Sequence, residues 1–131
     1  MVKCQVCGKQ ADKHHIVYRS QGGIDFPINF KYLCSEHHRG KSGPHKNRKL
    51  DLQYKLEMQT ELEDLLIKDF YSIDQLVDLL KINKGMMKRL LKNYKLYKEG
   101  YKKSDIIFRL MGKKHYIKEM LEDYYDILAN F

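Results

Sequence analysis

Apolar positions are sparse and aperiodic over the first 49 residues and fall into helical spacing after them, so the chain divides near residue 50. In the front part, His15-Ile16-Val17-Tyr18 predicts a short strand, Gly22-Gly23 a loop, and Asn29 to about Arg39 the opening of a short helix. Such a segment has too few apolar residues to build a core unaided. Residues 50–70 carry Tyr54, Met58, Leu62 and Leu65 at helical spacing and predict a long connecting helix. In residues 71–131, Ser72 with Gln75 forms a capping box ahead of Ile73, Leu76, Val77 and Leu80. After the turn Lys81-Ile82-Asn83, a second short helix buries Met87, Leu90 and Leu91, and the pair suggests a helix-turn-helix. Gly100, among alternating Tyr and Lys, predicts a hairpin wing over 95–103. Ser104 then caps a helix that Gly112 ends, and Tyr116, Ile117, Met120, Leu121, Tyr124, Tyr125 and Leu128 mark a final amphipathic helix. The expected class is α+β: a small metal-stapled finger followed by a mostly helical tail.

Charge sharpens this division. The chain carries 25 Lys and Arg against 17 Asp and Glu, a net charge of +8. Residues 1–50 hold 10 of the bases and 3 of the acids, so the excess sits on the front part and favours a polyanionic partner such as nucleic acid. No apolar run is long enough to span a bilayer and no secretory pattern opens the chain. The expectation is a cytoplasmic protein without a membrane partner. Three cysteines suit a metal better than a disulfide framework.

Cys4-Gln5-Val6-Cys7 and Cys34-Ser35-Glu36-His37 are two knuckles of metal-ligand spacing, a Cys3His set for structural zinc that would close the loop between residues 7 and 34. Within that loop stand His14-His15-Ile16, Gly22-Gly23 and Asn29, with His38 directly after the last knuckle. This string, over residues 4 to about 41, resembles the HNH endonucleases of phage and mobile-element type. That resemblance implies a beta-beta-alpha-metal finger in which His15 is the general base, oriented by Asn29 or its backbone, while His14 and His38 hold a catalytic divalent ion. Phosphodiester hydrolysis needs those parts: an activated water, a cation against the phosphorane charge, and help for the leaving oxygen. Many relatives have Asp where His14 stands, and a two-imidazole site is softer, so Mn2+, Ni2+ or Zn2+ competes with Mg2+. Arg39 and Lys41 are placed to clamp flanking phosphates, and Lys84, Lys88 and Lys92 line one helix face for DNA contacts. His45 is read as surface decoration with the option of a phosphate contact. The expected partner is double-stranded DNA in a bacterial or phage-infected cell, and the final amphipathic helix is a candidate homodimer contact. The rival is a zinc-dependent DNA-binding regulator that uses the helix-turn-helix and performs no chemistry. A third reading is a protein-interaction module with weak, salt-insensitive DNA affinity.

Overall fold

The computed structural model describes residues 2–122 and shows an α+β chain whose elements are short except for one helix. Strand β1 (Asp12–His15) pairs antiparallel with β2 (Phe30–Leu33), with His14 opposite Lys31 and His15 opposite Phe30. A four-residue helix, α1 (Ser35–His38), follows directly and completes a ββα finger. The expected strand is displaced: it ends at His15 instead of beginning there, and Ile16–Tyr18 turn away into the connecting loop. The helix expected from Asn29 is also corrected. Asn29 lies in a 3-10 turn begun by Pro27, residues 30–33 form β2, and only Ser35–His38 is α-helical. Alternation was masked there because Phe30, Lys31 and Tyr32 are all only partly buried.

The long helix α2 (Arg48–Leu65) is capped by the Asn47 side chain, which accepts from the Leu50 N–H at 3.1 Å. Its buried stripe of Leu52, Tyr54, Met58 and Leu62 joins the finger to the tail. Strand β3 (Phe70–Tyr71), absent from the expectation, precedes α3 (Ile73–Leu80). The capping box at α3 is present in both directions: Gln75 N–H donates to Ser72 Oγ, and Ser72 N–H donates to Gln75 Oε1. Lys81, in the left-handed region at φ 60°, ends α3, and Ile82-Asn83 lead into α4 (Lys84–Leu91). The wing is a hairpin of β4 (Leu96–Tyr97) and β5 (Gly100–Lys102), and β3 pairs with the other edge of β5 to give the order β3-β5-β4. Gly100 permits that pairing, because a Cβ there would overlap the Tyr71 carbonyl. Helix α5 (Lys103–Leu110) begins one residue before Ser104, with Lys102 at its N-cap and no side-chain cap, so the expected serine cap is corrected.

Finger and tail form a continuous core from Val17, Phe26 and Leu33 through Met58 and Leu62 to Leu76, Met87, Ile106 and Leu110. Two polar clasps add to this core, the first joining tail to finger and the second joining the segment after α5 to α2. Arg109 donates to the Gly22 carbonyl at 2.9 Å, and the buried Gln59 amide pairs with both backbone groups of Tyr116 at 2.7 and 2.8 Å. Buried polar groups satisfied in this way resist separation, since losing either partner exposes an unpaired donor or acceptor. Tyr124, Tyr125 and Leu128 of the expected last helix lie outside the described residues. No helix among the described residues is long and apolar enough to cross a membrane.

Candidate metal centres

The finger brings two separate sets of metal-ligating side chains together. Cys4, Cys7, Cys34 and His37 lie close enough to share one ion. Cys7 Sγ is 3.6 Å from Cys34 Sγ, while His37 Nδ1 stands 3.3 Å from Cys34 Sγ and 3.7 Å from Cys4 Sγ. A disulfide is excluded at that separation. Bonds of about 2.3 Å to a tetrahedral ion place sulfurs roughly 3.8 Å apart, so the donors fit a metal such as zinc with little movement. Burial raises the Cys4 thiol, but N–H groups of Cys34, Cys7 and Val6 outweigh it and bring the group down to about 6. Backbone hydrogen bonding at His37 also lowers Cys34, and the neighbouring sulfurs raise His37. Cys7 is shifted the other way: a backbone hydrogen bond from Lys9 lowers it, but burial and the neighbouring Cys34 and Cys4 sulfurs outweigh that and raise it, so an ion binding here would displace protons from the set.

The second set is His14, His38 and His45. His14 comes from β1, inward-facing and 1 % exposed, and His38 from the end of α1. The structure corrects His45, which is no isolated surface residue. The Gly40–Asn47 turn folds it back so that its Nε2 is 3.0 Å from His38 Nε2. Gly43 makes the return possible, since any Cβ there would overlap the His38 carbonyl. The glycines at 40 and 43 were the available signal, but the spacing of seven from His38 follows no helical or strand period.

His14 Nε2 is buried without a hydrogen-bond partner, an arrangement that is costly unless another group completes it; His38 Nδ1 is also unpartnered, but it is Nε2 of that ring that faces His45. An ion with bonds of about 2.1 Å needs nitrogens roughly 3 to 3.5 Å apart, and the three ligand atoms lie within 4.8 Å of one another. Burial, with nearby His38 and His45, lowers His14 to about 3, and burial likewise lowers His38 and His45. Neutral imidazoles are the form that ligates a metal. Where the histidine set holds no ion the same shift opposes acid. The unfolded chain binds a proton at His14 near its ordinary pKa of about 6.5 and the folded chain does not, so stability drops as pH falls from there toward about 3. Urea midpoints of protein loaded with one equivalent of Zn2+ should decline across that window, and a His14→Phe variant should show a shallower decline.

These imidazoles line a cleft of about 160 Å3 together with His15, Lys13, Tyr18, Arg19 and Arg39. His15 Nε2 is held 2.7 Å from Asp25 Oδ1, while Asp25 Oδ2 accepts from Arg19 at 3.0 Å. Hydrogen bonding to His15, foremost, keeps Asp25 below the usual carboxylate range. Asp25 was not singled out from the sequence, because its distance from His15 in the chain matches no local period. Asn29 is fully buried and its side chain is spent on the loop. Oδ1 accepts from Val17 N–H at 2.7 Å, and Nδ2 donates to the carbonyls of Val17 and Ile24. Its own carbonyl accepts from Ile16 N–H, which fixes the backbone directly after His15. Arg39 faces the histidine cleft, whereas Lys41 is exposed outside its lining. On the tail, Lys84 pairs with Asp74 at 3.1 Å, and Lys88 and Lys92 are exposed. No family model matches the chain, and neither does any curated protein or solved structure.

Proposed function

We propose that the chain is a divalent-metal-dependent endonuclease of the HNH type that hydrolyses phosphodiester bonds in DNA. The observation that carries this reading is the convergence of three imidazoles, His14 with an unpartnered buried Nε2, on a cleft that also holds His15 and three basic side chains. Cys4, Cys7, Cys34 and His37 would hold structural zinc, and His14, His38 and His45 the second ion. That ion, when bound, supplies positive charge against the phosphorane and the leaving oxygen. The chain's own part is to position and to move a proton. The Asp25 carboxylate favours the tautomer with hydrogen on His15 Nε2, which leaves Nδ1 as the acceptor for the proton of the attacking water. Asn29 holds the loop behind that ring, and Arg39, Arg19 and Lys13 receive the flanking phosphates. The helix pair α3–α4 with its β4–β5 wing would bind the DNA duplex beside the finger.

The same helix pair and wing favour the rival reading, a DNA-binding regulator without catalysis. A plasmid-nicking assay separates the two. The endonuclease converts supercoiled plasmid to nicked circles with Mn2+ or Mg2+ and stops in excess EDTA. Salt-dependent binding without metal-stimulated nicking would leave the regulator.

A further inference from the structure

Behind the histidine cleft lies a buried ionic cluster that the proposed chemistry does not use. Lys55 is fully buried in the middle of α2, and its Nζ donates to Asp51 Oδ2 at 2.7 Å. Arg48 donates to the same oxygen at 3.2 Å, and the Tyr18 hydroxyl donates to Asp51 Oδ1 at 2.9 Å. Burial draws Lys55 below the ordinary ammonium range while Asp51 opposes that shift. A buried ion pair of this kind is a weak source of stability, since the desolvation of both charges offsets their attraction. What it does provide is a fixed point, because the carboxylate is bound from three directions and cannot turn.

The aromatic ring fixed at that point faces the histidines. Tyr18 stacks on His45 with ring centres 5.2 Å apart and planes inclined by 14°, and it meets His14 edge-on at 5.8 Å. Lys55 Nζ also lies over this ring, 4.6 Å from its centre. Of the three imidazoles, His14 is held by a strand pair and His38 by α1, both buried, while His45 is exposed and sits in a turn. His45 therefore needs an external wall to keep Nε2 directed at His38.

We propose that Tyr18, anchored through its hydroxyl to the Asp51–Lys55 pair of α2, is the positioning residue that holds His45 in register as the third ligand of the second ion. The inference rests on the metal-site reading above. Groups that orient a ligand ring commonly change metal affinity by about 10 to 100-fold, and α2 thereby becomes part of the site without touching it.

The test uses the full chain loaded with one equivalent of Zn2+ and then titrated with Co2+, with visible absorption as the readout. Parent protein should take up one further equivalent. Tyr18→Leu should weaken that uptake about tenfold or more and Tyr18→Phe, which keeps the ring but frees it from Asp51, about threefold, with zinc content unchanged. In a His45→Ala background Tyr18→Leu should have no additional effect, whereas a merely structural tyrosine would weaken binding equally in both backgrounds. Parent-like Co2+ affinity in Tyr18→Leu, or equal losses in both backgrounds, overturns the proposal. If Tyr18→Leu loses its zinc, Tyr18→Phe decides: threefold weaker binding supports the anchor and parent-like binding rejects it. Absence of any Co2+ uptake by parent protein beyond the zinc site would remove the second-ion reading itself, and the proposal with it.

Discussion

On the endonuclease reading, replacing His15 by Ala is expected to reduce metal-stimulated nicking of plasmid by about 100 to 10,000-fold, the range for loss of a general base, while the protein stays folded and its metal content matches that of the parent. The separation of effects follows from the geometry. His15 is partly exposed at the end of β1, and its side chain contacts Asp25 and the edge of Phe30. It belongs to neither ligand set. Its loss therefore removes the proposed proton acceptor and one surface hydrogen bond, not a staple. Single-turnover rates at saturating metal, with Co2+ uptake measured on the same preparation, check both halves. Unchanged cleavage in a folded, metal-replete variant would remove His15 from the mechanism.

The largest effect on folding is expected from Cys34→Ser. Cys34 is 5 % exposed, directly follows β2 and serves as the N-cap of α1, and its sulfur faces both Cys7 and His37. Structural zinc in small domains contributes about 10 kcal/mol or more of folding-coupled binding. The finger has little to set against that loss: its strands are four residues each, and α1 is a single turn. The variant should lose stoichiometric zinc and the amide-exchange protection of β1, β2 and α1. The α3–α4 and β4–β5 region, with its own buried Leu76, Leu80, Met87 and Ile106, should lose less. Chelation of the parent protein should give the same pattern. Zinc-free protein with a fully protected finger would mean that the thiols serve only as buried side chains.

The limits of sequence interpretation are visible at particular residues. The two knuckles were legible because ligand spacing in a knuckle is local: Cys4 and Cys7, or Cys34 and His37, face one point whenever the short turn forms. The capping box at Ser72 and the apolar stripes of α2, α3 and α4 were legible for the same reason, since caps and helical periods are set within a few residues. The finger's strands were misplaced because a two-stranded, partly exposed pair has no complete alternation to detect.

His45, Asp25 and Tyr18 acquire their roles only when loops fold back. His45 requires the Gly40–Asn47 turn, Asp25 requires the loop stapled by Asn29, and Tyr18 requires α2 to bring Asp51 beside it. Composition and local spacing alone determined an α+β chain with a basic front, a Cys3His metal set and a helical tail, because each of those is written in neighbouring residues. Tertiary structure decided that three imidazoles converge and that a buried ion pair stands behind them. Contacts between residues far apart in the chain depend on how the loops close, and loop closure leaves no periodic trace in the sequence.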